Sequence, residues 1–222
     1  GRKHAKELEK ITKIDVLLIY NGSASGIDLK QFKKFENNKS KIKIKYNISQ
    51  KNKIILFVGR PNRRKGFHDI IEIWKKYFEF RSDYTLLLLG ITEKDVLKLY
   101  KEIPNNLKAI PFTYKPEFFF IIADYLFMNS YHEGLNYSVL EAMLSKTIVI
   151  SNNIFGASEI INNNVNGFLI DNNCHRSFFN TVMLCEESKV LKKRITEKGS
   201  NTVKKYNHKA FLKDYEYFLL TF

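Results

Sequence analysis

The chain has 222 residues, of which 44% are hydrophobic and only four are proline. This composition allows a substantial hydrophobic core and excludes a wholly disordered chain. Its 37 lysines and arginines exceed its 23 aspartates and glutamates, giving a formal charge of +14. Such a charge favours an anionic partner, either a nucleotide, a nucleic acid or an acidic membrane surface, although much of the lysine can equally be solvated surface.

The sequence lacks the patterns of several other classes of protein. Cys174 and Cys185 form no CxxC motif, so we expect free thiols and a cytoplasmic location. No run approaches ~20 uninterrupted apolar residues, so we expect any membrane contact to be peripheral. The five histidines show no metal-ligand spacing, and we expect no metal site.

The first fifty residues predict a helix, a strand and a linker, followed by one ambiguous segment. HAKELEKITKI predicts a short helix, and the apolar run DVLLIY, residues 15–20, predicts a buried strand. NGSASGID, residues 21–28, interrupts the pattern with two glycines and two serines and indicates a linker. KSKIKIKYNI alternates strictly, which is typical of a strand with lysines on one face.

From Lys53 onward apolar runs alternate with amphipathic stretches. The predicted order is strand KIILFVG, helix GFHDIIEIWKKYFEF, strand YTLLLLG, helix EKDVLKLYKEI, strand LKAIPF, core helix EFFFIIA, strand DYLFMN, a helix from about Tyr137, strands TIVIS and GFLID, and three helices near 177–187, 190–206 and 209–220. This alternation is typical of βαβ units. The sequence therefore predicts an α/β fold, a Rossmann-like parallel sheet with helices on both faces.

The loop after the strand KIILFV is rich in cations. It reads GRPNRRKGF, in which Gly59 ends the strand, Lys65 and three arginines occupy the loop, and Gly66 opens the next helix. Ligands of doubly wound sheets bind beyond the carboxyl ends of the strands, and cations near a helix N-terminus suit phosphate. Both GxxxxGK[ST] and GxGxxG are absent. The loop therefore indicates a phosphate site of another kind, or a solvated basic segment.

The segment after DYLFMN carries two acids. In SYHEGLNYSVLEA, seven residues separate Glu133 from Glu141. Gly134, Leu135 and Asn136 should present N–H groups at the start of the next helix. We predict that Glu141 lies about a turn and a half into this helix and accepts hydrogen bonds from the cis hydroxyls of a ribose, as acidic residues do in dinucleotide folds. Glu133 could bond sugar hydroxyls.

Other interpretations of the two acids remain open. HExxH is excluded, because Asn136 stands where a zinc protease needs its second histidine. A glycosidase acid and base would require a carboxyl separation that spacing along the chain does not define. In a purely structural interpretation, Glu133 caps a helix and Glu141 is merely exposed.

Taken in order, these segments resemble the C-terminal half of a retaining glycosyltransferase of family four, which has the GT-B fold of two facing Rossmann-like domains. The resemblance covers nearly the whole chain and is most specific at Arg60 and Lys65, five positions apart, and at the two glutamates. It implies that residues 1–28 are the last helix and strand of an N-terminal domain plus a linker. Residues 29–206 would then bind the donor, and 207–222 would cross back toward the other domain.

The resemblance also implies roles for individual residues. Arg60 and Lys65 would hold the donor diphosphate and neutralise charge as the glycosidic bond breaks, and Glu133 would bond the transferred sugar; these three are the expected catalytic residues. The base would lie near the loop 111–114. The expected substrate-binding residues are Gly59, Phe112, Thr113, Gly134, Leu135, Asn136, Tyr137 and Glu141.

The implied activity is transfer of a hexose or N-acetylhexosamine, with retention, from a UDP-sugar or GDP-sugar to a glycan or lipid-linked acceptor. Enzymes of this kind build bacterial capsule, O-antigen or other surface polysaccharide. No metal or other cofactor is implied, and the chain alone would be inactive without its N-terminal acceptor domain. The family also implies a helix at KSKIKIK, and the +14 charge could aid peripheral contact with an anionic inner leaflet.

Some positions depart from the family pattern. Lys146 and Ile148 stand where the family usually has glycine and proline, and FGASE, residues 155–159, replaces GGxPE. We expect these positions near the sugar pocket, so the donor sugar stays open. Two alternatives to a transferase are a basic nucleic-acid-binding Rossmann-like domain and a non-catalytic regulatory domain of the same fold. The first is disfavoured, because no nucleic-acid recognition motif accompanies the positive charge.

Overall fold

A parallel sheet of six strands organises the part of the chain that the computed structural model describes, residues 2–16, 25–30, 32, 37–171 and 175–221. The strand order is β3-β2-β1-β4-β5-β6, with every neighbouring pair parallel. The predicted Rossmann-like α/β fold is confirmed. The strands are β1 (Lys53–Val58), β2 (Tyr84–Leu89), β3 (Leu107–Ile110), β4 (Tyr125–Met128), β5 (Ile148–Asn152) and β6 (Phe168–Ile170).

Helices connect and flank the strands. They are α1 (Arg2–Thr12), α2 (Lys39–Lys45), α3 (Phe67–Tyr77), α4 (Glu93–Leu97), α5 (Glu117–Ile122), α6 (Tyr137–Leu144), α7 (Phe155–Ser158), α8 (His175–Glu187), α9 (Lys189–Val203) and α10 (His208–Thr221). Short 3₁₀ turns occupy Arg63–Lys65 and Lys204–Tyr206. Within the described ranges, no helix is both long and apolar enough to cross a bilayer.

Helices cover both faces of the sheet, which explains why the strands are continuous apolar runs. Ile54 and Leu56 of β1 belong to one buried cluster with residues of α2, α5 and α6. Ile55 and Phe57, on the opposite face, belong to a second cluster with α3, α4 and α8. Successive side chains of a strand point to opposite faces, so burial on both faces removes the alternation of a half-exposed strand.

Several local predictions can be compared with the structure. The helix at KSKIKIK is confirmed as α2, which buries Ile42 and leaves Ile44 70% exposed. The core helix at EFFFIIA is confirmed as α5. The helix at EKDVLKLYKEI is shorter than predicted and ends as α4 at Leu97. Residues 15 and 16 are not in a strand, and the rest of DVLLIY lies outside the described residues.

The end of the predicted linker contacts the C-terminal part of the chain. Ile27 donates its N–H to the carbonyl of Tyr206 at 2.6 Å and accepts from the N–H of His208 at 3.0 Å. Residues 21–24 of the linker lie outside the described residues, as does Cys174, whereas Cys185 is buried with a free thiol. The predicted domain boundaries at 28 and 206 stay predictions.

Gly66 should be indispensable to the fold, whereas Gly134 should not. Gly66 has a φ of 75°, and a Cβ there would overlap the backbone of Asn129; at Gly134 a Cβ would meet no atom within 4 Å. We expect Gly66→Ala to lower the free energy of unfolding by roughly 2–4 kcal/mol, from backbone strain and overlap together. Gly134→Ala is the matched control, with a change below about 1 kcal/mol in urea denaturation. Equal changes in the two variants would contradict this assignment.

Candidate functional site

The site lies where the strand order reverses. From β1 the sheet extends to β2 and β3 on one side and to β4, β5 and β6 on the other. Loops that leave the carboxyl ends of such neighbouring strands diverge to opposite faces and leave a crevice, which is where ligands bind in open α/β sheets. The cation-rich loop follows β1 and the two-glutamate stretch follows β4, so the fold brings the two predicted loops together.

Backbone contacts join these two loops. The N–H of Tyr131 donates to the carbonyl of Arg64 at 2.9 Å, and Gly66 packs closely on Asn129. Within the first loop, the side chain of Asn62 accepts from the N–H of Lys65 at 3.0 Å and thereby caps the 3₁₀ turn. The position of Lys65 is therefore fixed from both sides of the crevice.

Lys65 and Glu133 form a direct ion pair across the crevice. The Nζ atom of Lys65 donates to Oε1 of Glu133 at 2.5 Å, and the two side chains are 21% and 14% exposed. A charge-assisted hydrogen bond between two side chains that are mostly shielded from water is stronger than one between neutral groups. Arg60, at the start of the same loop, is exposed.

Asp69, on α3, holds the loop that follows β4 in place. Its Oδ2 accepts from Nδ2 of Asn129 at 2.6 Å and from the hydroxyl of Tyr131 at 3.2 Å. His175, at the start of α8, lies 3.8 Å away from the other carboxylate oxygen. The sequence analysis missed Asp69. Its position in the first turn of α3, the helix that follows the cation-rich loop, could have indicated that it lies near the site.

Gly134, Leu135 and Asn136, which are predicted to present N–H groups to a ligand, lead directly into α6. Gly134 faces open space on its Cα side, and its carbonyl lies against Gly156 of α7. Asn136 is the N-terminal cap residue of α6 but makes no side-chain capping bond. Its side chain is buried, and its Nδ2 has no hydrogen-bond partner among the described residues. A buried amide donor without a partner is uncommon and marks this position for a ligand or water.

Glu141 is the fifth residue of α6, about a turn and a half from its start, as predicted. Burial is the main cause that raises the pKa of its carboxyl from 4.5 to about 7, and the charge of Glu117 adds to the effect. Glu117, on α5, is itself buried, and its Oε2 has no hydrogen-bond partner among the described residues. The sequence analysis did not single out Glu117, because contact between α5 and α6 is set by tertiary packing.

Four other predicted binding residues make contacts outside the ion pair. The hydroxyl of Tyr137 accepts from the N–H of Ser25 at 3.0 Å, so this side chain contacts the linker. Phe112 is 75% exposed with its ring 4.9 Å from that of Tyr114, and Thr113 accepts from the N–H of Lys115 at 3.1 Å. Their loop follows β3, two strands from β1, on the carboxyl edge of the sheet. Gly59 ends β1 and contacts the side chain of Lys65.

A cleft of about 330 Å³ opens beside Glu133. It is lined by Tyr131, His132, Glu133, Asn153, Ile154, Phe155 and Ser158. Phe155 and Ser158 of FGASE therefore line the cleft beside Glu133, and their expected place near the sugar stays a prediction. The expectation for Lys146 and Ile148 is wrong, because Ile148 pairs with Tyr125 at the amino ends of β5 and β4, on the opposite edge of the sheet.

No group of three or more histidine, cysteine, aspartate or glutamate side chains among the described residues could hold a metal ion. The chain itself places the cation of Lys65 beside the crevice. Fixed cations and helix N–H groups can stabilise developing negative charge on a departing phosphate. The absence of a metal requirement stays a prediction.

Comparison with known proteins identifies a family. Residues 38–202 match the family model described as Glycosyl transferases group 1. The chain is 30% identical over 172 residues to the capsular polysaccharide biosynthesis glycosyltransferase CapM of Staphylococcus aureus, which covers 74% of this chain and 43% of CapM. It is 31% identical over 215 residues to an uncharacterised glycosyltransferase of Methanocaldococcus jannaschii, covering 91% of this chain and 52% of that protein. The chain thus spans about half the length of these relatives.

A solved structure supports the fold. HepE of Anabaena, crystallised in complex with UDP-glucose, superimposes with a TM-score of 0.79 at 21% identity, over 89% of this chain and 56% of HepE. At this identity the likeness establishes the shared fold. The match to the family model identifies the family, because it covers both loops of the crevice and all six strands of the sheet. This chain therefore belongs to the group 1 family of glycosyl transferases.

Proposed function

We propose that this chain is the donor-binding, C-terminal domain of a retaining glycosyltransferase that needs no metal ion. The observation that carries the proposal is the contact between Lys65 and Glu133, 2.5 Å apart at the switch point. One loop contributes a cation suited to phosphate and the other a carboxylate suited to sugar hydroxyls. A nucleotide diphosphate sugar has these two chemistries side by side.

Each part of the site has a place in this proposal. Lys65 and Arg60 bind the diphosphate, and the N–H groups at the start of α6 face the same charge. The sugar occupies the cleft beside Glu133, where Phe155 and Ser158 line the far side. Glu141 accepts hydrogen bonds from the ribose hydroxyls. The base lies toward the exposed loop 111–114.

The relatives support a proposal for the donor and the acceptor. HepE was crystallised with UDP-glucose, which supports a UDP-linked hexose or N-acetylhexosamine here, with a GDP-sugar as the alternative. CapM acts in capsular polysaccharide biosynthesis, which supports a glycan or lipid-linked acceptor in surface polysaccharide synthesis. Because the chain spans about half of these relatives, we assign acceptor binding to a partner domain. A cytoplasmic protein with +14 charge would meet a lipid-linked acceptor at an anionic inner leaflet.

Calorimetry on the 222-residue chain tests donor binding. We expect saturable binding of UDP and UDP-glucose, and Lys65→Ala and Arg60→Ala should each weaken UDP by about tenfold or more while uridine binding changes little. Glu141→Ala should weaken UDP and uridine alike, because its ribose contact is common to both. Arg63→Ala is the matched control, since it removes an exposed arginine from the same loop.

A folded sample that binds neither ligand would refute the proposal. Equal losses for UDP and uridine in all three variants would contradict the separate roles assigned to Lys65, Arg60 and Glu141. A loss for Arg63→Ala as large as that for Lys65→Ala would show that only the general charge of the loop matters.

The raised pKa of Glu141 predicts a dependence of stability on pH. A carboxyl whose pKa is about 7 in the folded state and 4.5 ordinarily stays protonated on folding, so its stabilising contribution is lost as pH rises between these values. Glu141→Gln should therefore gain stability relative to the unsubstituted chain by about 2 kcal/mol between pH 5 and pH 8. Urea denaturation across this range measures the difference, and Glu187→Gln, at the exposed end of α8, is the control. A difference that does not change with pH would contradict the assigned pKa.

A further inference from the structure

We propose that Glu133 makes the site discriminate between a nucleotide that carries a sugar and the nucleoside diphosphate left after transfer. The inference rests on the proposed function and adds a specificity to it. Its basis is that Lys65, the cation assigned to the diphosphate, already has a counter-ion inside the protein. Any anion that binds Lys65 must compete with, or approach, the carboxylate of Glu133.

Glu133 cannot leave Lys65 without finding another partner. Its side chain is only 14% exposed, and Lys65 is the partner recorded for its carboxylate. A mostly desolvated carboxylate without hydrogen-bond donors is strongly disfavoured. If Glu133 instead stays in place when a diphosphate arrives, two anions share one lysine at close range, and like charges this near repel each other.

A sugar offers the donors that Glu133 needs. The cleft beside Glu133 is where the sugar of the donor would lie, and sugar hydroxyls can donate hydrogen bonds to the carboxylate. Glu133 could then turn from Lys65 toward the sugar while Lys65 turns to the diphosphate, and both charges remain compensated. UDP has no sugar on its terminal phosphate, so it gains Lys65 only at the expense of Glu133.

The charge of the product increases the contrast. The terminal phosphate of UDP has a second ionisation with a pKa of about 6, which the same phosphate loses once a sugar is attached to it, so UDP carries more negative charge near pH 7 than the diphosphate of UDP-glucose. Repulsion from Glu133 is therefore stronger for the product. Re-formation of the Lys65 to Glu133 pair would favour release of the spent nucleotide. Arg60, which is exposed at the start of the loop, forms no ion pair among the described residues and so stands outside this competition.

The test compares UDP with UDP-glucose in titration calorimetry of the 222-residue chain. Glu133→Gln keeps the shape of the side chain and its ability to accept a hydrogen bond but removes the charge. We expect UDP to bind at least about fivefold more tightly to this variant, whereas UDP-glucose binds equally or more weakly. Glu187→Gln removes the same charge at the opposite edge of the sheet and should change neither affinity.

Other outcomes separate this inference from the proposed function. Glu133→Gln with no gain for UDP, or with an equal gain for both ligands, would overturn the inference and leave donor binding intact. An unsubstituted chain that binds neither ligand would overturn the proposed function, and the inference with it. If Glu133→Gln does not fold, as judged by circular dichroism, Glu133→Asp replaces it. The shorter acid should no longer reach Lys65, so a gain for UDP of about twofold or more is expected, and no gain would overturn the inference.

Discussion

The parallel pairing of β1 with β4 is the constraint on which the site depends. It places the loops after these two strands at one point on the carboxyl edge of the sheet, although about seventy residues separate Lys65 from Glu133 in the sequence. The buried cores on both faces fix the strands, and Gly66 lets the first loop pack directly on Asn129. The ion pair is the chemical result of that packing.

Charge is arranged in the crevice so that each part of one ligand meets its complement. Lys65 and Arg60 of the first loop suit a diphosphate, and the two glutamates of the second suit hydroxyls. This arrangement has a cost in stability, since Glu141 is partly buried, no cation among the described residues raises the stability of its charged form, and its pKa is raised to about 7. Such local destabilisation is common where residues are kept for binding rather than for folding.

The parallel sheet and both loops could be predicted from the sequence. Strands buried on two faces are continuous apolar runs, and the cations or acids that follow a strand are visible directly after it. Contacts set by tertiary packing produce no local sequence pattern. The carboxylate of Asp69 under the second loop, the approach of Glu117 to Glu141, and the bond from the Ser25 N–H to Tyr137 all join distant segments. The wrong prediction that Ile148 lies near the pocket has a similar origin. Ile148 begins β5, and it is the other end of this strand that leads to the site.

The most direct measurement is a crystal structure of this chain with UDP-glucose bound. We expect a diphosphate oxygen within hydrogen-bond distance of Nζ of Lys65, the ribose hydroxyls at Glu141, and the carboxylate of Glu133 turned from Lys65 to hydroxyls of the glucose. A nucleotide bound away from the loops that follow β1 and β4, or a glucose that makes no contact with Glu133, would contradict the central claim that these two loops together form one nucleotide-sugar site.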